Sequence, residues 1–416
     1  MKPVTLLVAG AGMRGAGYAK YAAAFPEQAK VVGVAEPRDA YRQKLAAEHD
    51  IPPERVFTDW KQAAERERFA DAVLICTQDA MHVDPARAFA AKGYHMLLEK
   101  PMAPSEAGCR RIHQAVTAAG IIFAVGHVMR YTAYTQRLKQ VLDSGAIGEV
   151  VSIQHLEPVG FWHQAHSFVR GNWRNEAESS FMLLAKSCHD LDWLHYMMGA
   201  RCRRVSSFGS LHHFTKANQP AGAADRCLDC PVEPDCPYSA PKIYLGRLAK
   251  GQTGWPVDVL TPDPTEETIT EALRTGPYGR CVYACDNDVV DHQVVNLEFA
   301  DGRTAAFTMT AFNAGAGRQT RLFGTRGEIV GDGKELRVYD FLTQQTETID
   351  TRTGDQSILG GHGGGDFGLM SSFVAAVGEN DPGRILSGPD ETLESHLMVF
   401  AAEKARREGT VVELTE

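Results

Sequence analysis

The chain has 416 residues, a formal net charge of -9 and 44% hydrophobic residues. A chain this long exceeds what one hydrophobic core usually organises, so we expect two domains. The acidic balance argues against a nucleic-acid partner, and no run of about 20 apolar residues indicates a membrane span. Nine cysteines without a regular framework favour a reducing, cytoplasmic location over secretion.

A glycine-rich turn lies between the first predicted strand and the first predicted helix. The apolar residues 4–9 are followed by the pattern G-x-G-x-x-G. In this context the glycines allow a tight turn and a close approach of the backbone to a pyrophosphate. We therefore predict cofactor contacts from Gly10, Gly12, Met13, Arg14 and Gly15.

The second predicted strand ends at Glu36, about 20 residues after the glycines, where the acid that binds a ribose belongs. Glu36 predicts NAD rather than NADP as the cofactor. Arg38 could instead hold a 2′-phosphate, and Glu36 could be an ordinary solvent-facing acid. We treat both residues as predicted cofactor contacts.

Strands and helices alternate up to about residue 126, which predicts a parallel, doubly wound sheet. Thr77 follows one strand and His82 precedes the next helix, and both are predicted cofactor contacts. The strand over residues 95–98 runs into Glu99-Lys100-Pro101, at the sheet edge where such folds place their chemistry. Glu99 is a predicted cofactor contact, and Lys100 is predicted both to contact the cofactor and to be catalytic. On the tripeptide alone, a solvated strand end is the alternative.

The glycine turn, Glu36, His82 and above all Glu99-Lys100-Pro101 resemble the Gfo/Idh/MocA family of oxidoreductases. The resemblance covers nearly the whole chain. It implies an α/β Rossmann domain over residues 1–126 that binds NAD. It also implies an α+β domain over residues 127–416 with an open, mostly antiparallel sheet, whose exposed face often supports homo-oligomers, here a dimer or tetramer. The implied substrate is a small carbohydrate.

An aromatic, histidine-rich segment follows in the second domain. Aromatic faces beside Arg and His donors suit a polyhydroxylated ligand, although a structural aromatic cluster is an equal alternative for the tryptophans. Arg170 and Arg174 could equally bind a carboxylate or sulfonate. The predicted substrate contacts are His127, Arg130, Trp162, His163, Arg170, Trp173, Arg174, Asp192 and His362.

A helix over residues 181–194 carries His189 and Asp192 three positions apart, on one face. The family resemblance implies the pattern D-x-G-x-H-x-x-D here, with the histidine taking part in proton transfer. Ala185 stands where that pattern has its first aspartate. Lys186 is either a second cation of the site or an outward-facing helix residue. We predict Lys100, His189 and Lys186 as the catalytic set.

A cysteine-rich insert occupies about residues 200–280. Cys227, Cys230 and Cys236 have C-x2-C-x5-C spacing, which is typical of a structural zinc site, and Cys281 is the preferred fourth ligand over Cys285. Free thiols or disulfides are the alternatives. We expect so polar an insert to need the metal for order.

Three functions remain open at this point. The first is NAD-dependent oxidation of a secondary hydroxyl of a sugar, polyol or glycoside. The second is a redox-neutral NAD-dependent glycosidase that oxidises its substrate, eliminates a substituent and returns the hydride. The third is a non-catalytic NAD-binding sensor, which would need neither Lys100 nor His189.

Overall fold

The computed structural model describes residues 2–315, 317–352 and 362–414. Within these ranges no helix is long and apolar enough to cross a lipid bilayer. The helices are α1 Met13–Ala24, α2 Asp39–Glu48, α3 Trp60–Glu65, α4 Val83–Ala91, α5 Glu106–Ala119, α6 Ala133–Asp143, α7 Phe161–His163, α8 Met182–Met198, α9 Ala240–Leu248, α10 Glu266–Thr275, α11 Gly365–Glu379 and α12 Pro389–Glu408. The strands are β1 Val4–Ala9, β2 Ala29–Ala35, β3 Val56–Phe57, β4 Ala72–Ile75, β5 His95–Leu98, β6 Phe123–Val125, β7 Val150–Pro158, β8 Cys202–Ser210, β9 His292–Phe299, β10 Thr304–Thr310, β11 Gln319–Gly324, β12 Gly327–Gly331, β13 Glu335–Asp340, β14 Thr346–Asp350 and β15 Val412–Glu413.

The N-terminal sheet has the order β3-β2-β1-β4-β5-β6 and is parallel throughout. Its strands are almost entirely buried because helices cover both faces, as expected for a doubly wound sheet. The strand order reverses between β1 and β4, and ligands bind such folds in the crevice beyond the carboxyl ends at this point. The prediction of a Rossmann fold is confirmed.

The second sheet has nine strands in the order β14-β13-β12-β11-β7-β10-β9-β8-β15. Only the pairing of β10 with β7 is parallel among its described ladders. One face packs on α8 and carries the larger hydrophobic core. The other face is open and exposes apolar side chains, among them Phe208 at 64% and Val151 at 50%. The predicted mostly antiparallel sheet is confirmed.

The chain returns to the N-terminal sheet after completing the second one. Helix α11 buries Leu369 and Phe373 in the same core as Leu6 and Tyr18. One face of the Rossmann sheet is therefore covered by residues that lie far beyond position 126. His362 begins the short turn before α11, and its side chain is outside the described part of the structure.

Residues 211–291, which we call the insert, connect the neighbouring antiparallel strands β8 and β9. The insert has an apolar core. Burial of its aromatic and aliphatic side chains contributes free energy to its order. The core side chains include Phe214, Tyr238, Ile243, Tyr244, Val257, Ile269, Leu273 and Val282.

The structural zinc prediction is not supported. No group of three or more His, Cys, Asp or Glu side chains in the described residues is arranged to hold a metal ion. Cys227, Cys230, Cys236 and Cys281 do line one small cavity, but all are free thiols, and Arg170 lines it as well. The Arg170 guanidinium donates to Cys227 Sγ over 3.4 Å.

Candidate active site

The glycine turn has the shape that a dinucleotide pyrophosphate needs. Gly10 has φ +96°, and a Cβ there would lie 2.4 Å from the carbonyl oxygen of Cys76. A Cβ on Gly15 would lie 1.9 Å from the Gly10 oxygen, so any side chain would separate α1 from the turn. No side chain caps the N-terminus of α1 at Gly12, which leaves its first backbone N–H groups directed at the crevice. These residues fit the cofactor.

Glu36 lies beside this turn, as predicted. Its buried carboxylate accepts hydrogen bonds from Ala11 N at 2.8 Å and from Arg38 Nε at 2.7 Å. Burial raises the pKa of Glu36, but hydrogen bonds from Arg38 and Ala11 outweigh it, and the net pKa is lowered. Arg38 also lies near Gly12, because a Cβ on Gly12 would be 3.3 Å from the guanidinium. Both residues therefore lie beside the glycine turn.

Glu99 anchors three parts of the fold. Its Oε1 accepts from Arg14 Nε at 2.7 Å and from the Tyr18 hydroxyl at 2.6 Å, while its Oε2 accepts from the backbone N–H of Lys100 at 2.9 Å. Arg14 also donates to Asp366 on α11 at 2.6 Å. The structure thus places Arg14 and Glu99 in one hydrogen-bonded cluster with Tyr18 and Asp366. This cluster fixes the backbone that carries Lys100.

Lys100 points from the end of β5 toward α8 in the second domain. Its Nζ donates to the backbone oxygen of Ala185 at 2.9 Å. A main-chain carbonyl therefore binds the ammonium at the position where the family pattern has an aspartate. The contact places Lys100 between the Rossmann crevice and the helix that carries His189.

Lys186 faces the open sheet rather than solvent. Its Nζ lies 2.8 Å from Glu157 Oε1, and Arg318 lies 2.9 Å from the other oxygen of the same carboxylate. His163 ends α7, which begins shortly after Glu157 on β7. Burial lowers the pKa of His163, and the positive charges of Lys186 and Lys100 lower it further, so His163 is held neutral at neutral pH. The contacts of Lys100 with Ala185 and of Lys186 with Glu157 place both lysines where α8 meets the end of β7.

Behind His189 the structure places a fully buried ion pair. Asp192 accepts from Arg130 Nε at 2.7 Å and from its terminal nitrogen at 2.8 Å. His127 Nε2 lies 3.7 Å from the same carboxylate, and the rings of His127 and His189 meet edge to face at 5.7 Å. Since Arg130, Asp192 and His127 are almost wholly buried, their position supports His189 and does not offer them to a substrate.

The other predicted site residues are spread over several places. Arg170 donates to the backbone oxygens of Arg280 at 2.7 Å and Tyr238 at 2.8 Å, inside the insert and away from Lys100. Arg174 forms a surface ion pair with Asp286. Trp173 is partly exposed and packs against Phe168, whereas Trp162 stacks beside His163.

His82 and Thr77 shape the loop beside Lys100. The His82 ring binds the backbone oxygens of Pro101 at 2.8 Å and Thr77 at 3.2 Å, so it fixes the loop from within. The Thr77 hydroxyl is buried and has no hydrogen-bond partner in the described residues. Sequence reasoning missed Asp79, one of whose oxygens is also buried and unbonded there. Burial raises the pKa of Asp79, partly offset by His82 and Lys100, and its place just after β4 was the available signal.

Three buried histidines make stability depend on pH. Burial lowers the pKa of His127 and of His166 to about 3 and that of His396 to about 4. The unfolded chain takes up protons below about pH 6.5 that the folded chain does not bind. We expect the free energy of unfolding to have its full value above this pH. Below it, the free energy of unfolding should fall by roughly 1 kcal/mol per histidine per pH unit toward pH 4.

Urea unfolding at a series of pH values checks this expectation. His166→Phe should reduce the slope by about one proton. The matched control His212→Gln removes an exposed histidine and should leave the slope unchanged. A wild-type stability that is flat between pH 6.5 and pH 4 would contradict the assignment of neutral buried rings.

The fold and the crevice define a class, that of two-domain proteins with an NAD-binding Rossmann sheet and an open mixed sheet. Residues 4–127 match the family model described as "Oxidoreductase family, NAD-binding Rossmann fold". Residues 139–414 match the model described as "Oxidoreductase family, C-terminal alpha/beta domain". The chain belongs to the Gfo/Idh/MocA family, as its motifs indicated.

Curated relatives include sugar-acting enzymes. The chain is 29% identical over 209 residues to 2,7-anhydro-N-acetylneuraminate hydratase of Mediterraneibacter gnavus, covering 50% of this chain and 53% of the relative. It is 30% identical over 220 residues to inositol 2-dehydrogenase of Streptomyces avermitilis, covering 52% and 59%. The chain thus spans little more than half the length of these two relatives.

The whole fold also recurs in solved structures. Levoglucosan dehydrogenase in complex with NADH and L-sorbose has a TM-score of 0.71 and 18% identity, and each chain is covered completely. Aldose-aldose oxidoreductase from Caulobacter crescentus has a TM-score of 0.68 and 17% identity, with 99% of this chain and 100% of that chain covered. These likenesses establish the shared fold.

Proposed function

We propose that the protein is an NAD-dependent oxidoreductase that oxidises a secondary hydroxyl of a sugar, polyol or glycoside. The observation that carries the proposal is the position of Lys100, whose ammonium reaches from the Rossmann crevice to Ala185 on the helix of His189. A titratable group between a dinucleotide crevice and a neighbouring domain is suited to proton transfer beside a nicotinamide. The family membership and the names of the relatives agree with this reaction class.

In this proposal the glycine turn and Glu36 would hold NAD, which would supply a hydride acceptor for the carbinol carbon. Lys100 and His189 form the acid/base pair, and one of them accepts the proton of the substrate hydroxyl as the carbonyl forms. Lys186 supplies a second positive charge near Lys100, which binds the neighbouring residue Ala185. The ion pair with Glu157 holds the Lys186 ammonium in place. The buried Arg130–Asp192 pair positions the helix turn that carries His189.

The redox-neutral glycosidase is the second candidate function. Ala185 in place of an aspartate removes one carboxylate from the site, and the first of the two curated relatives is named a hydratase rather than a dehydrogenase. A ketone formed two carbons away from the carbon that bears the leaving group would acidify the C–H bond between them, so that this proton and the leaving alcohol could be eliminated. Water would then add to the resulting enone, and the hydride and a proton would return to the ketone, with no net change in NAD.

One assay separates the two candidates. Purified protein with NAD is mixed with a panel of sugars, polyols and glycosides while NADH absorbance and sugar release are recorded together. Net oxidation gives NADH in proportion to product, whereas the glycosidase gives free sugar at constant NADH. Binding of NAD without either product across the panel would favour a non-catalytic NAD-binding sensor.

Glu36 is proposed to bind the adenine ribose of NAD. Glu36→Gln should raise the Kd for NAD by about tenfold, because a charged acceptor is roughly twice as strong as a neutral one and Arg38 loses its partner. Calorimetric titration measures this, with the exposed Glu27→Gln as the matched control. An unchanged Kd for NAD, or a preference for NADP in the wild type, would contradict the proposal.

The open face of the nine-stranded sheet is proposed to bind a second copy of the chain. Phe208 and Val294 lie opposite each other in register, and both are exposed on the face that also exposes Val151. Light scattering would report the dimer or tetramer. The nine free thiols support the proposal of a reducing, cytoplasmic location.

A further inference from the structure

One residue of the insert, Trp255, contacts α7. Trp255, in the loop before α10, lies with its ring centroid 4.9 Å from that of His163, edge to face, and 5.3 Å from that of Trp162. His163 lies shortly after Glu157 of β7, which binds Lys186, and Lys186 is the neighbour in α8 of Ala185, which binds Lys100. A residue of the insert therefore contacts the segment that lies next to the two lysines in the chain.

Two side chains that contact Trp162 keep exposed surface or N–H donors that no contact among the described residues uses. Trp255 is 39% exposed, although it contacts three aromatic rings. Arg247 on α9 holds its guanidinium 4.1 Å from the centroid of the Trp162 ring. Arg247 makes no hydrogen bond or ion pair with any residue in the described ranges, and its contact there is the one with the Trp162 ring.

The surrounding residues show what a purely structural cluster looks like here. His166 is buried, stacks on Tyr278 with centroids 5.0 Å apart and binds the Tyr244 hydroxyl at 2.8 Å. Its polar and apolar surfaces are both used. Trp255 and Arg247 differ, because Trp255 remains 39% exposed and the Arg247 guanidinium has no polar partner among the described residues.

An exposed indole and a guanidinium that both contact Trp162 are suited to a sugar ring. The C–H face of a pyranose packs on an aromatic ring, and its hydroxyls need directed donors such as those of Arg247. The ring to be oxidised must lie at Lys100, so a second ring that reaches Trp255 belongs to the same extended substrate.

We propose that Trp255 and Arg247 form a second carbohydrate subsite, which binds the sugar unit joined to the one that is oxidised. The inference rests on the proposed function and narrows its substrate class to glycosides with at least two rings. It gives the insert a part in substrate selection, since neither residue belongs to the two sheets.

The test uses the full-length protein loaded with NAD and two kinds of probe. The first are the glucose disaccharides cellobiose and maltose, and the second are the methyl glucosides with the same linkages. Calorimetric Kd values and kcat/KM are measured for the wild type, Trp255→Ala and Arg247→Met. The matched controls Val259→Ala and Arg274→Met change an exposed apolar side chain and an exposed arginine elsewhere in the insert.

We expect the wild type to bind at least one disaccharide about tenfold or more tightly than its methyl glucoside. Trp255→Ala and Arg247→Met should each remove most of this difference and leave the methyl glucoside within about twofold, with unchanged thermal unfolding. The control variants should retain the preference.

Equal wild-type affinity for both kinds of probe, or no binding of either, would overturn the subsite. So would a loss in the two variants that affects disaccharide and methyl glucoside alike. Disaccharide binding that depends on Trp255 without hydride transfer or sugar release would instead uphold the subsite and overturn the proposed function.

Discussion

Replacing Lys100 by methionine should lower kcat by about 10²- to 10⁴-fold while the Kd for NAD stays within a few-fold. Methionine keeps the length and the apolar stem of lysine but has no proton to transfer. The lost contact is the one between Nζ and the Ala185 oxygen at 2.9 Å, at the interface of the two domains. Single-turnover kinetics with an active sugar, alongside a cofactor titration, measures both quantities.

The matched control for this variant is Lys44→Met, which removes an exposed lysine from α2 and should leave kcat unchanged. A Lys100→Met enzyme that keeps kcat within a few-fold of wild type, with NAD still bound, would end the catalytic assignment. A large increase in the Kd for NAD would assign Lys100 to cofactor binding instead.

Asp192→Asn should lower the free energy of unfolding by about 3–5 kcal/mol. Arg130 and Asp192 are both buried and bind through two hydrogen bonds, so the substitution leaves a guanidinium without its counter-charge in the protein interior. Denaturant unfolding monitored by circular dichroism gives the value. The surface pair of Arg174 and Asp286 provides the control, because Asp286→Asn should cost less than about 1 kcal/mol.

The same ion pair has a defined pH dependence. Burial raises the pKa of Asp192, but the charge of Arg130 outweighs it and lowers the net pKa to about 2. Because this value lies below the ordinary aspartate pKa of about 3.9, the contribution of the pair is complete above pH 4 and is lost as the pH falls toward 2. A loss in Asp192→Asn no larger than that of the control would contradict the structural assignment.

Local sequence predicted the Rossmann half well because its requirements are local. The backbone of Gly10 has a positive φ and approaches a neighbouring strand, and these demands fall on a single residue type. Lys100 follows a strand directly, so its place at the sheet edge follows from chain order alone. Glu36 was predictable for the same reason, because it directly follows β2.

The rest of the site depends on contacts between distant residues. Arg130 and Asp192 pair across 62 positions, and neither shows by spacing that the other is its partner. The sequence predicts that Arg170 donates to a ligand. Its nitrogens instead donate to the backbone oxygens of Tyr238 and Arg280, 68 and 110 positions away. Trp255 meets His163 only because the insert folds back over α7. Long-range packing of this kind has no periodic signature in the sequence.

The cysteine cluster shows how far spacing alone predicts a site. C-x2-C-x5-C is compatible with a zinc knuckle, and the four thiols do line one cavity. Arg170 also lines this cavity, and the insert has an apolar core. The spacing alone carried no information about either feature.

The proposed function depends on hydride transfer from a sugar carbinol carbon beside Lys100. The most direct measurement uses an active sugar deuterated at that carbon, incubated with the NAD-loaded protein, quenched within one turnover and examined by mass spectrometry of the nicotinamide. We predict deuterium on the cofactor in the wild type, whether or not the hydride later returns, and little or none in Lys100→Met. Conversion of the sugar with no deuterium on the nicotinamide in a wild-type time course would contradict the account.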